Sequence, residues 1–142
     1  MAAFNKFQDF SEQLIRGVHD WDAHVFKIML TNSAPVATNT IKSDLTEIGA
    51  GNGYTAGGTA TTITIAEVTG TTTVSGTQVV FTASGGTIGA FRYAVLYNDS
   101  ATSPLKALVG WWDYGSSITL NDAETFTVKF SNASPGAILT LA

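Results

Sequence analysis

RYAVLYNDSATSPLKALVGWWDYGSSITLNDAETFTVKF, residues 92–130, is the stretch that decides the fold. It holds three of the four tyrosines and two of the three tryptophans of the chain. Around its start, in FRYAVLY, every second residue is large and apolar or aromatic. Successive side chains of a β-strand point to opposite faces. We therefore expect a strand here, with one face made by Phe91, Tyr93, Val95 and Tyr97.

Two further strands are predicted within the same stretch. Residues 124–130 alternate between apolar and polar side chains, which is typical of an antiparallel strand with one face in the core and one in water. Residues 105–114 are nearly all apolar and predict a strand that is covered on both faces. Asn and Asp at 98–99 and 121–122 favour turns, because their side chains can bond to the local backbone. Three sequential strands with short turns predict a meander.

Outward from this stretch, the pattern adds strands on both sides. Residues 24–31 alternate and predict a strand, the Thr-rich residues 59–83 fit two strands, and residues 137–141 fit a last one. Residues 40–48 fit a short helical turn. Seven or eight strands separated by turns favour a mainly β fold, an antiparallel β-sandwich with one N-terminal helix. Jelly-roll and immunoglobulin-like strand orders both stay open.

Residues 4–18 carry the one helical pattern. Apolar side chains recur there at three- and four-residue steps and form a stripe, and Gly17 favours an end of the helix. The stripe packs on the flank of the sheet, or residues 1–20 form a helical arm that docks on a neighbouring subunit. In both cases 1–142 is a single domain with its β body in 24–142. The predicted interface residues are Phe4, Phe7, Phe10, Leu14 and Trp111.

Composition narrows the classes of function. The chain has 142 residues, 44% of them hydrophobic, which suits one domain with a real core. No apolar run approaches the length that spans a bilayer, and we expect no membrane association and no signal peptide. The absence of cysteine permits synthesis in a reducing cytoplasm. A net charge of −4 with 13% charged residues argues against nucleic-acid binding and favours a Thr-, Ser- and Gly-rich surface that meets other protein.

No catalytic, cofactor-binding or metal site is predicted. His19, Asp20, Asp22 and His24 are the nearest approach to a metal cluster, but Trp21 interrupts them and Asp20 fits better as a turn residue. Both histidines lie near the N-terminus and no G-x-S-x-G motif occurs, which disfavours a nucleophilic triad. The expectation is a protein that is not an enzyme.

Carboxylates and glycines in the rest of the chain also have structural interpretations. Asp99 and Asp122 fit turns, and Asp113 fits a cross-strand pair with Arg92. The glycines of GAGNG, residues 49–53, lack the Lys and the following helix of a phosphate loop. We therefore expect these residues to have structural roles, in turns and strand pairs, and to take no part in catalysis or phosphate binding.

Trp111 and Trp112 leave a different function open. Neighbouring residues on a strand face opposite ways, so the two rings cannot stack on one ligand. We expect one to be in the core and the other on a covered face or an interface. A carbohydrate-binding module that uses Trp111 or Trp112 remains an alternative.

Four segments carry a resemblance that covers nearly the full chain. They are FNKFQDFSEQLIRGVHD (4–20), MLTNSAPVATNTIKSDLTEIGAGNGYTAGG (29–58), FTASGGTIGAFRYAVLYND (81–99) and LVGWWDYGSSITLNDAETFTVKF (108–130). The chain resembles small virion structural proteins that are encoded beside the major capsid protein in tailed bacteriophages. The resemblance implies a capsid decoration, or cement, protein: a β-rich homo-oligomer, trimer or dimer, on the capsid exterior.

Further expectations follow from this resemblance. The partner would be the major capsid protein, and the protein would be made in the host cytoplasm. No catalytic, cofactor or metal residues come with the resemblance. A tail or neck component of the same virion is the alternative within the same class of protein. The axis of symmetry occupied in the shell stays open.

Overall fold

The computed structural model describes residues 2–142. Ten strands form in this part of the chain: β1 (Asn5–Lys6), β2 (Phe26–Thr31), β3 (Thr59–Thr61), β4 (Ile63–Val68), β5 (Thr71–Gly76), β6 (Val79–Thr82), β7 (Ile88–Asn98), β8 (Leu108–Leu120), β9 (Thr125–Val128) and β10 (Gly136–Leu141). One α-helix, α1 (Phe10–Ile15), and a single 3₁₀ turn (Lys42–Asp44) accompany them. The expected mainly β fold with one helix is confirmed.

All strand pairs are antiparallel. The largest sheet has five strands in the order β1-β8-β7-β2-β3, and the long β7–β8 hairpin lies at its centre. A three-stranded sheet, β10-β5-β4, and a two-stranded sheet, β6-β9, complete the fold.

The main core lies between the five-stranded sheet and the two smaller sheets. Ile28 of β2 and Leu96 of β7 share one cluster of buried side chains with Val74 of β5, Phe81 of β6 and Val128 of β9. Each sheet thus buries one apolar face against the other layer, as a sandwich requires. The predicted antiparallel β-sandwich is confirmed.

A second, smaller cluster covers the opposite face of the five-stranded sheet. It joins Phe7 and Leu45 to side chains of the central strands, among them Met29, Val95 and Leu108. The central strands are therefore buried on both faces. This confirms the prediction for residues 105–114 over the first part of β8, where Leu108, Val109 and Trp112 are buried.

The predicted shared face of the first strand is wrong at one position. Phe91 lies in the main core, whereas Val95 lies in the second cluster on the other face of the sheet. The pairing of β7 with β8 is irregular here, because Phe91 is opposite Ile118 while Tyr93 is opposite Asp113. The extra residues lie in β8, and the regular ladder between the two strands is interrupted where Phe91 and Val95 change faces. A strict period of two therefore breaks at this bulge.

The predicted three-stranded meander is also wrong. β7 and β8 do form a hairpin, but β9 pairs with β6 in the facing layer. The turn between β8 and β9 is closed by reciprocal bonds: Asn121 N–H donates to the Glu124 carboxylate, and Glu124 N–H donates to the Asn121 carbonyl. By crossing over, β9 places Phe126 and Val128 on the core from the side opposite to β8.

The predicted helix over residues 4–18 is shorter than expected. Asn5 and Lys6 pair with β8 as the edge strand β1, and only Phe10–Ile15 is helical. Gly17 adopts a φ of 76° and ends the helix, as its position predicts. Tertiary pairing with the unfilled edge of β8 thus overrides the helical period of the first residues. Within residues 2–142 no helix has the length and apolar character needed to cross a bilayer.

The Thr-rich stretch also departs from its prediction, since it forms four strands, β3 to β6, and not two. The structure does place a helical turn within residues 40–48, though only one turn long. The Asp44 carboxylate accepts the backbone N–H groups of Thr40 and Ile41, and these bonds lower the pKa of Asp44.

Candidate functional site

The five predicted interface residues do not form one surface. Phe7 and Phe10 are buried in this chain's own core, while Phe4, Leu14 and Trp111 are partly buried. Phe4 and Leu14 pack on the main core, and Phe7 packs in the second cluster with Trp111 against it. This arrangement matches the interpretation in which the stripe packs on the sheet. The assignment of these residues to an interface stays a prediction.

The two adjacent tryptophans face opposite layers, as the sequence predicts. Trp112 is buried in the main core, with its ring centroid 5.2 Å from that of Phe4. Trp111 packs against the second cluster, 4.5 Å from Phe7. Neither indole stands free on the surface as a sugar platform would.

The most exposed strand is β4, and the β4–β5 hairpin to which it belongs, residues 63–76, is named here the exposed hairpin. From Thr64 to Val68 every residue of β4 is exposed, so both faces of this strand meet solvent. Ile65 is 44% exposed, Val68 is 67% exposed, and Leu141 on the neighbouring β10 is 66% exposed. In the described part of the chain, the outer edge of β4 has no strand partner. Sequence reasoning missed this surface, although its run of threonines without a clear apolar face was a signal.

An open groove of about 370 Å³ lies where β8 and β9 diverge, and it is named here the aromatic groove. Ala94, Trp112 and Val128 are buried residues that line it. Tyr114 is 56% exposed, and its ring meets that of Phe126 edge-on at a centroid distance of 5.5 Å. Its remaining lining residues are Ala2, Arg92, Thr127, Lys129 and Asn132.

Charge at the groove is arranged unevenly. Arg92 donates two hydrogen bonds to the Asp113 carboxylate, at 2.7 and 2.9 Å, which is the cross-strand pair that the sequence predicts. The bond from Arg92 and a further one from Gly115 N–H lower the pKa of Asp113. Lys129 is exposed and forms no ion pair with any residue of 2–142.

The predicted polar turn after α1 is present. Asp20 accepts the backbone N–H groups of Asp22 and Ala23, each at 3.1 Å, which confirms it as a turn residue. Nearby, the side-chain amide nitrogen of Asn98 lies 3.2 Å from Nδ1 of His19 and 2.9 Å from Nδ1 of His24. Over residues 2–142, no three acidic or histidine side chains come together in a way that could hold a metal ion.

Burial sets the protonation of His19. His19 is almost fully enclosed, and removal from water, together with repulsion from His24, lowers its pKa to about 4. Asp9 offsets part of that shift. His19 therefore connects the segment after α1 to Asn98, at the end of β7, in its neutral form.

A second polar cluster, around Glu47, was not predicted from the sequence. Its carboxylate accepts bonds from Lys42 at 2.6 Å, from the Tyr54 hydroxyl at 2.7 Å and from Gly57 N–H at 2.6 Å. Burial would raise the pKa of Glu47, but these three donors outweigh it, and the pKa is lowered. The cluster ties the loop between β2 and β3 to the body, and Tyr54 completes it by accepting Leu30 N–H. Every member is satisfied, so the cluster is structural.

Comparison with known proteins gives no match: no family model fits the chain, and no curated protein and no solved structure is significantly similar to it. Two surface features remain as candidates for function, the exposed hairpin and the aromatic groove.

Proposed function

We propose that this chain is a structural virion protein that decorates and stabilises the capsid of a tailed bacteriophage. It acts on the capsid exterior as a homo-oligomer, a trimer or a dimer, that binds the major capsid protein across neighbouring capsomers. The observation that carries the proposal is the exposed hairpin, whose outer strand shows both faces and one unpaired edge. The resemblance of four long segments to phage virion proteins is the reason for proposing a capsid as the binding partner.

An unpaired strand edge is a template for another chain. Its free N–H and C=O groups can accept an additional strand, and exposed side chains on both faces then add contact area. β4 contains no proline and a single charge, Glu67, so little opposes pairing. A stable interface needs roughly 800 Å² from each partner, which a paired strand and its two faces can contribute in large part.

The N-terminal segment is not the contact surface in this proposal. Phe7 and Phe10 are already buried within the chain, so they cannot at the same time fill a groove on a neighbour. Deleting residues 1–18 would remove two core side chains, and the result would report on folding more than on docking. The exposed hairpin is therefore the surface to test.

The test replaces two outward residues of β4 with lysine, Thr64→Lys and Val68→Lys. Both side chains are exposed, so the fold should survive, while like charges along the edge oppose strand pairing. We expect self-association to weaken by about tenfold or more, which corresponds to roughly 1.4 kcal/mol. Sedimentation equilibrium measures the self-association, and co-sedimentation with empty capsids measures the occupancy.

A charge-matched control places the same two lysines in the loop after β2. Ala34 and Val36 are exposed there, and Ala34→Lys with Val36→Lys should leave both readouts unchanged. Unchanged assembly and capsid occupancy in the β4 variant would contradict the proposal. Immunogold labelling that shows a few rings at the tail or neck, and no coverage of the shell, would favour the tail component.

A further inference from the structure

The aromatic groove combines an apolar floor with an exposed aromatic wall. Ala94, Trp112 and Val128 supply the floor, and Tyr114 with Phe126 supplies the wall. Ligand sites typically occupy about 300 Å³ or more, are mostly apolar, and carry a few polar groups that fix orientation. The volume of about 370 Å³ is at the small end of that range and suits one or two compact rings.

The polar rim of the groove is basic. Five of the seven basic residues of the chain form ion pairs; Lys6 and Lys129 are the two that form none within residues 2–142. Arg92 at the groove is already neutralised by Asp113. Lys129 therefore leaves one uncompensated positive charge at the rim, beside the exposed side-chain amide of Asn132.

We propose that the aromatic groove binds an acidic saccharide, with a uronic acid residue as the recognised unit. The C–H face of a pyranose ring packs on an aromatic side chain, and here Tyr114 and Phe126 offer that surface. The carboxylate of the sugar pairs with Lys129, and Asn132 supplies hydrogen bonds to hydroxyl groups. Charge favours the acidic class, because a carboxylate can form a charge-assisted hydrogen bond with Lys129 that a neutral sugar cannot.

This inference goes beyond capsid decoration and uses a different surface. It also differs from a platform made by Trp111 or Trp112, since Trp111 lies on the other face of the sheet and Trp112 contributes only to the floor. Failure of one proposal leaves the other standing, because the exposed hairpin and the aromatic groove share no residue.

The experiment titrates the full-length protein with tetragalacturonic acid and follows backbone amide signals by NMR. We expect shifts confined to residues that line the groove. The fully methyl-esterified tetrasaccharide has the same rings without charge, and we expect it to bind about tenfold more weakly, the loss of one charge-assisted bond. Lys129→Gln should cause a similar loss, and Tyr114→Ala should reduce binding further.

Two controls keep the test specific. Lys6→Gln removes the other lysine without an ion pair, and Trp111→Ala removes the aromatic ring on the opposite face; both should bind tetragalacturonic acid as the unchanged protein does. The proposal is overturned if no groove signals shift, if the methyl ester binds equally well, or if Lys129→Gln has no effect. Equal binding of a tetraglutamate peptide would also overturn it, in favour of an acidic peptide.

Discussion

His19 and Glu47 show how single buried groups hold loops onto the β body. Glu47 satisfies three donors from one loop, and His19 contacts Asn98 across the β7–β8 turn. Loss of one hydrogen-bond partner of such a group lowers the stability of the fold, because the polar atoms that remain are buried away from water. Nε2 of His19 is buried without a hydrogen-bond partner in the described structure, so protonation at that atom finds no acceptor.

The buried histidine predicts a loss of stability in acid. Its pKa is about 4 in the folded chain, below the ordinary value of 6.5, so between these values the unfolded chain binds a proton that the folded chain does not. The contribution is fully present above about pH 6.5 and is lost as the pH falls toward 4. We expect it to reduce the free energy of unfolding by about 2 to 3 kcal/mol between pH 7 and pH 4.5.

Urea unfolding at the two pH values measures this loss. Carboxylates with lowered pKa, such as Glu47 and Asp99, also lose stability in acid. The comparison is therefore made against His19→Gln, which removes the titrating group and should show a smaller decrease. Equal decreases in both proteins would show that His19 does not titrate between its folded and unfolded values.

Among the elements, β1 and β8 decide where the N-terminal segment lies. β1 is only two residues long, yet it brings Phe4 and Phe7 onto opposite faces of the sheet. The close approach depends on Gly110 of β8, where a Cβ atom would overlap the Phe4 ring and the Asn5 carbonyl. Gly110 thus leaves the room that β1 needs to pair with β8.

Gly110→Ala should displace β1 from β8. The backbone and ring must shift to make room, and we expect a destabilisation of about 1 to 3 kcal/mol. Hydrogen exchange should show faster exchange at the amide of Phe7, which donates to the Val109 carbonyl. Gly89→Ala on β7 is the matched control, because a Cβ atom there meets no neighbour. If both variants behave alike, β1 does not pair with β8 as described.

On the scale of the whole molecule, the three-stranded sheet combines exposed apolar side chains with a free strand edge. Ile65, Val68 and Leu141 are exposed on this sheet, and the outer edge of β4 has no strand partner within residues 2–142, while the five-stranded sheet is covered on both faces at its centre. Only 13% of residues are charged, which leaves few charges to oppose association. These features support the proposal that the chain assembles in many copies.

The proposed capsid decoration predicts that incorporation into particles protects the exposed hairpin. We expect the amides of Thr64 to Val68 that point away from β5 to exchange slowly on decorated capsids and quickly in the dilute protein, because an added strand would bond them. Amides at the centre of β7 are already paired with β2 and β8 and serve as the internal control. Fast exchange of β4 on decorated capsids would show that another surface makes the contact.

Local patterns in the sequence determined the β class, the covered strand around Leu108 to Trp112, the end of the helix at Gly17 and the Arg92–Asp113 pair. These features depend on neighbouring residues or on a single pair of strands, so periodicity and turn chemistry suffice to predict them. Only the tertiary structure decided that residues 5–6 pair as a strand, that β9 crosses to β6, and that a bulge turns Phe91 to the main core. The aromatic groove belongs to this second group, because its lining residues are far apart in the chain and meet only when the two layers close over the core. The exposed hairpin is local in sequence, but only the tertiary structure decided that no other strand of residues 2–142 pairs with the outer edge of β4.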